Sequence, residues 1–266
     1  MDFDLPYDRW ERAVKDRISR RKYYDDPIRD NEMEVLQRTV KDLKGSFPLA
    51  EVMIMREGFS KVSNKLIGSY GLITGASSYG IIAGRSSEDR YRANIQAGAL
   101  GESLVLEATS LGLDTCWMGG FFEREDVYSE ADIGDLEVLA IVPLGEAKDS
   151  LTIVERLAKR ATGSHKRKPI SELCSEDFLD NAPDWMRTAV DLARRGPSAM
   201  NRQPWRFDID GKDLVLTSAL KKKNYEVSPY LDCGIALLHL LVGAGYEGID
   251  VDIEYGEPPL IATLQP

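Results

Sequence analysis

Two short segments, far apart in the chain, carry the residue types most suited to chemistry: Arg17-Ile18-Ser19-Arg20-Arg21 and Pro197-Ser198-Ala199-Met200-Asn201-Arg202-Gln203-Pro204-Trp205. In an extended backbone side chains alternate, so Arg17, Ser19 and Arg21 would share one face and present two guanidinium forks and a hydroxyl. That surface suits a terminal phosphate dianion. The second segment follows a helical pattern and ends in Pro-Trp, which places Ser198 and Asn201 on irregular backbone, with hydrogen-bonding groups turned to a ligand's polar edge. It could hold a flavin ring. Alone, the arginines also fit a solvated charge run beside Asp25 and Asp26, and Ser198 and Asn201 also fit a plain turn after a helix.

Together the segments resemble the FMN-dependent nitroreductase family, whose chains open with an Arg-x-Ser-x-Arg-x-aromatic stretch closed by Pro and a hydrophobic residue, here Arg17 to Tyr23 and Pro27-Ile28. Pro197 to Trp205 is similar to the family's second signature and Cys116-Trp117-Met118-Gly119-Gly120-Phe121 to its third. His165-Lys166-Arg167-Lys168-Pro169 resembles its C-terminal basic motif, which puts Arg167 where an arginine reaches the phosphate. The resemblance implies cofactor contacts from Arg17, Ile18, Ser19, Arg21, Gly119, Gly120, Arg167, Pro197, Ser198, Ala199 and Asn201, with no side chain acting as a general acid. It also implies NAD(P)H as reductant, FMN as the group that accepts hydride at N5, and a nitroaromatic, quinone or related small molecule as acceptor. A non-catalytic flavin-binding protein and an FMN enzyme of another reaction type, such as reductive dehalogenation, remain compatible with the same residues.

The order of the motifs is unusual. In ordinary members the Pro-Ser segment lies soon after the Arg segment, whereas here it follows a region that resembles the family's C-terminal end. Ordinary members are homodimers that build each flavin site from both subunits. The displaced motif therefore implies a pseudo-dimer within one chain, with pseudo-repeats of approximately 1–172 and 173–266. Setting Gly112 against Gly248 gives helix, Gly, apolar residue, Asp and strand in both halves. The first half supplies the Arg segment, the Gly-Gly segment and the basic stretch, and the second half supplies the Pro-Ser segment, so the chain holds one set of site residues.

The elements that must position these residues follow from periodicity. Trp10, Val14 and Ile18 mark a helix over 7–18, and Met33, Leu36, Val40 and Leu43 mark one over 30–43. Strands are expected over 50–55, between 71 and 84 and over 136–144, with a long helix over 93–113. A helix over 184–195 stops at Gly196, a hairpin turns at Asp210-Gly211, an apolar helix spans 233–244, and a half-buried strand covers 249–255. The expected fold is α+β and nitroreductase-like: a central, largely antiparallel sheet flanked by helices, in two divergent halves.

Composition narrows the function classes. The 266 residues are 43% hydrophobic, enough for a sizeable core, and the formal charge of −10 disfavours nucleic acid and anionic membrane surfaces. The three cysteines lack metal-ligand spacing and their odd number argues against a disulfide framework, which points to a cytoplasmic protein. With two histidines, His165 and His239, neither a histidine-based triad nor a histidine-rich metal site is expected. Gly243-Ala-Gly245-Tyr-Glu-Gly248 has dinucleotide spacing but ends a helix, where no pyrophosphate would meet a helix N-terminus. Gly75 to Gly80 reads as a turn, and no membrane segment or export signal is expected.

Overall fold

The structure, a computed structural model, describes residues 5–63, 73–120, 122–148, 166–220 and 226–266. At its centre two helices cross: α4 (Ser86–Ser110), which breaks from helical geometry at Asp89, and α9 (Pro229–Tyr246). Both are apolar or small on nearly every side, and both are buried over most of their length, so each behaves as a core helix rather than an amphipathic surface one. By length and composition α9 could cross a membrane, but it is largely enclosed by the rest of the protein.

Glycine sets the closeness of the crossing. A Cβ on Gly98 would lie 2.1 Å from the Leu231 carbonyl oxygen, and one on Gly234 would lie 1.9 Å from that of Ile95. The contact is reciprocal, and backbone rather than flexible side chain blocks both positions. Each helix also ends in the same turn. Gly112 and Gly248 take positive φ, and the following amides, of Leu113 and Ile249, donate back to Ala108 and Ala244. This turn ends α4 before the expected residue 113.

A four-stranded antiparallel sheet packs with each helix. The first, in the order β1-β2-β4-β3, comprises β1 (Ala50–Met55), β2 (Ser78–Gly84), β3 (Asp114–Thr115) and β4 (Glu137–Gly145). The second, β5-β6-β8-β7, comprises β5 (Trp205–Asp210), β6 (Asp213–Ser218), β7 (Asp252–Tyr255) and β8 (Leu260–Gln265). The orders match, and an irregularity falls at corresponding points, Ile82/Ala83 and Leu216/Thr217. The α+β class and antiparallel pairing agree with the sequence reading, but the strands form two sheets instead of one central sheet.

Side-chain alternation divides β2 between two cores. Ile82 joins the main core with α4 and α9, while Tyr79, Ile81 and Ala83 join a smaller one with Phe59, Val62 and Ile133. Around this frame lie α1 (Tyr7–Asp16), α2 (Asp30–Leu43), α3 (Phe59–Ser63), α5 (Arg124–Glu130), α6 (Ile170–Leu173), α7 (Glu176–Asn181) and α8 (Asp184–Ala193). The short helices α3, α5, α6 and α7 span too few turns for a period to show.

Several boundaries differ from expectation for local reasons. α1 ends at Asp16, so Ile18 is not helical but 44% exposed on extended backbone. α9 begins at Pro229 because Ser228 caps it, accepting from the Tyr230 amide. β7 starts at Asp252 because the Ile249 amide is committed to closing α9. Residues 71–72 of the expected second strand, as well as Phe121 and His165, lie outside the described residues.

The central helices bury charge as well as carbon. Glu107 accepts from Arg9 Nη2 at 2.8 Å and Trp10 Nε1 at 2.7 Å, tying α1 to α4. Glu102 accepts from Trp117 Nε1 at 2.7 Å and faces His239 Nε2 at 2.9 Å. His239 Nδ1 lies 3.0 Å from the Leu192 carbonyl, which can only accept, so Nδ1 carries a proton and Nε2 shares a further one with Glu102. This relay joins α4, α8, α9 and the strand-to-loop segment at Trp117.

Two stability measurements follow. Gly234→Ala should lower the unfolding free energy by about 1–3 kcal/mol, whereas Gly45→Ala, with nothing within 4 Å of the added methyl, should be near neutral in the same denaturant titration. His239→Gln, which can replace only part of the relay, should lower it by about 1–3 kcal/mol, read as a shift in the denaturant midpoint.

Candidate functional site

The Arg segment leaves α1 at Arg17 and runs extended beside β3. Ser19 bridges Thr115 in parallel, and the Arg20 amide donates to the Thr115 carbonyl at 3.0 Å. Farther along, Lys22 bridges Thr74 and Tyr23 bridges Ala147. Gly75 permits this approach, since a Cβ there would meet the Tyr23 carbonyl at 2.0 Å. The expected face is seen for Arg17 and Ser19, while Arg21, like Arg20, acts electrostatically on the buried Tyr23 hydroxyl. Arg20 turns to Asp114 and the Lys148 carbonyl, whereas Arg17 Nη1 lies 3.4 Å from Ser19 Oγ.

Across the chain, Arg167 lies within electrostatic reach of Arg17. Its guanidinium donates to the Arg195 carbonyl at 2.9 Å and to Asn201 Oδ1 at 3.2 Å. Burial, followed by the like charges of Arg17, Arg194 and Arg195, lowers its pKa to about 10. The structure therefore brings Arg17 and Arg167 into one cationic cluster although they are remote in sequence. Arg194 and Arg195 were not anticipated as members, because they read as the end of a helix. Asp191 steadies both, accepting from each Nε at 3.0 Å; burial would raise its pKa, but these hydrogen bonds hold it below the ordinary carboxylate range.

The Pro-Ser segment is a tight, strained turn. Met200, Asn201 and Gln203 all have left-handed φ, near 50°, which non-glycine residues seldom adopt. Ser198 Oγ accepts from the Gln203 amide at 3.0 Å, while Asn201 Nδ2 donates to the Lys166 carbonyl at 2.9 Å. Gln203 Oε1 accepts from the Lys168 amide at 2.8 Å. Residues 166–168 are thus stitched to 201–203, and Asn201 sits beside Arg167. Pro197, Ser198 and Ala199 are partly exposed, and Met200 is 59% exposed. Trp205 is fully buried behind the turn, against Gly196.

Gly119 and Gly120 follow β3 and lie against the segment leading into α9. Cβ atoms there would fall 2.7 Å from Val227 and 2.6 Å from the Glu226 carboxyl carbon. Bare backbone at these positions lets 226–227 close over the Gly-Gly segment. Sequence reasoning missed Glu226, which carries no motif, and Asp232, an isolated acid in the first turn of an apolar helix. Asp232 is buried, accepting from the Ala199 amide at 3.1 Å and from Arg202 Nε at 2.6 Å.

Arg17, Arg167 and the Pro-Ser turn are thus linked in one candidate site, and the Gly-Gly segment follows the strand that bridges the Arg segment. Its cationic cluster, partly exposed polar turn and close-packed glycine backbone suit an anionic ligand with a polar planar portion. A family model described as "Putative TM nitroreductase" matches residues 11–244, which take in the first sheet and β5 and β6 of the second. No curated protein matches the chain. Among solved structures, a putative nitroreductase from Thermotoga maritima is 19% identical, with 99% of this chain and 96% of that chain covered and a TM-score of 0.65. A nitroreductase family protein from Clostridium difficile is 22% identical, with 66% and 99% covered and a TM-score of 0.46. A nitroreductase with bound FMN from Desulfitobacterium hafniense is 13% identical, with 54% and 91% covered and a TM-score of 0.46. The Thermotoga match shows a shared fold, and the family match across most of the sequence shows descent: this chain belongs to the nitroreductase family.

Proposed function

We propose that this chain is a cytoplasmic FMN-dependent oxidoreductase that passes hydride from NAD(P)H to a nitroaromatic, quinone or related small acceptor. The observation that carries this reading is the convergence of Arg17 and Arg167, with Arg194 and Arg195 nearby, on one partly buried position. Asp191 pairs with Arg194 and Arg195, and beside Arg17 and Arg167 a terminal phosphate would supply negative charge with oxygens matched to guanidinium forks. The residues present therefore fit FMN.

On this reading Arg17, Ser19, Arg21 and Arg167 bind the phosphate, and Asn201 Oδ1 orients the Arg167 fork. Ser198, Ala199 and the Gly119-Gly120 backbone meet the ring's polar edge, while Trp205 excludes water behind the turn. FMN, when bound, supplies the hydride-accepting N5 and the electrons for the acceptor. The protein's task is to bind and orient it and leave one face open. His239 is buried between the Leu192 carbonyl and Glu102, and this reading assigns it no role in turnover.

We infer further that the chain is a pseudo-dimer. Its support is the matching order of the two sheets and a single sequence offset that relates Gly98 to Gly234, Ile95 to Leu231 and Gly112 to Gly248. Pseudo-repeats of approximately 1–172 and 173–266 then meet at the central helix crossing, and one chain provides what two subunits provide elsewhere in the family.

Arg17→Ala removes a charge-assisted contact and should weaken FMN binding by about 1.5–3 kcal/mol with the fold intact. FMN titration checks this, and unchanged affinity would move Arg17 to the solvated surface. Without oxygen, NADH or NADPH should bleach the flavin spectrum, and a quinone should restore it. A bound flavin that neither reductant bleaches would instead indicate a flavin-binding protein without turnover.

A further inference from the structure

The turn that keeps Met200, Asn201 and Gln203 at left-handed φ requires something to hold it. Asp232 is the group placed to do so. Its side chain is buried, with Oδ1 accepting from the Ala199 amide at 3.1 Å and Oδ2 from Arg202 Nε at 2.6 Å, so one carboxylate grips both flanks of Met200 and Asn201. The Arg202 side chain is only 13% exposed, which makes this an ion pair largely withdrawn from water. Asp232 itself is held firmly, because the adjacent Leu231 carbonyl is pressed onto Gly98 at the helix crossing.

We propose that Asp232 is a positioning residue for flavin: its ionised carboxylate clamps Ala199 and Arg202 and keeps the Pro-Ser turn in its strained, ligand-ready shape. The proposal rests on the FMN reading for its ligand but on Asp232's own contacts for the clamp. A neutral side chain could satisfy the Ala199 amide; only an ionised one also fixes the Arg202 charge. The Asp232–Arg202 link thus trades desolvation for a defined backbone.

That trade makes the clamp sensitive to acid. Burial raises the Asp232 pKa from 3.8 to about 6, opposed by Arg202 and the Ala199 amide. Among the described residues, Cys233 on the same helix also acts electrostatically with this pair; burial pushes its thiol well up, leaving it neutral through this range. The folded carboxyl takes up a proton more readily than the unfolded one. Its contribution to stability is therefore fully present below about pH 3.8 and lost as pH rises through about 6. Mild acid consequently releases the clamp while protonation of this group favours the folded state.

The test compares wild type with Asp232→Asn by FMN titration between pH 5 and 7.5, and by hydrogen exchange over 198–203 without flavin, corrected for the intrinsic effect of pH. At pH 7.5 the variant should bind FMN at least tenfold more weakly and exchange faster across the turn. The two proteins should converge at pH 5. The phosphate of FMN also titrates near pH 6, but identically for both, so the changing ratio belongs to Asp232. Equal affinities at pH 7.5, or a ratio constant from pH 5 to 7.5, would overturn the proposal. If wild type bound no FMN, the flavin reading would fail, while unchanged exchange in the variant would separately refute the clamp. If the variant did not fold, exchange in wild type would decide: acceleration below about pH 6 supports the clamp, and a flat profile contradicts it.

Discussion

The close crossing of α4 and α9 is the constraint on which the rest depends. With glycine at 98 and 234, backbone rests on backbone, and no flexible side chain can take up an error in position. From that fixed point α4 leads through the Gly112 turn to β3, the strand beside the Arg segment, and then to Gly119 and Gly120. In α9, the residue after the pinned Leu231 is Asp232, which reaches the Pro-Ser turn. Both walls of the candidate site are thus fixed by the same contact.

The buried polar groups make the crossing specific. Glu102 and His239 would each be costly alone in an apolar interior, yet with Trp117 and the Leu192 carbonyl each finds a partner. A helix pair held only by glycine and leucine could slide or rotate. The relay fixes its register and joins α8, which leads to the Arg194-Arg195 pair, to the opposite side of the molecule.

Much of this was legible in sequence wherever a signal is local or periodic. The alternation of 249–255, of which 252–255 form β7, the Asp210-Gly211 hairpin and the spacing in α2 correspond to observed elements, and the family motifs point to Arg17, Arg167 and Asn201, which the fold links. Other features could not be read because their cause is tertiary. Ser228-Pro229 starts α9 through a cap too short to show a period, and β8 follows a proline pair near the end of the chain. Arg194 and Arg195 acquire significance only when Arg167 folds back onto the Arg195 carbonyl. Asp232 looks like an ordinary first-turn acid until its burial is seen, and Glu226 is defined only by the glycines across from it.

A chain with a formal charge of −10 concentrates arginines from three separate segments at one place, so charge distribution rather than net charge indicates the ligand. The two sheets have matching orders but each signature occurs once, so the proposed pseudo-dimer would build its site within a single chain. The most direct measurement is therefore the number of FMN molecules bound per polypeptide, taken together with the mass of the protein in solution. One FMN per chain, in a monomer or in a dimer whose sites are each built within one chain, is the predicted result. Two per chain, or none after incubation with excess FMN, would contradict it.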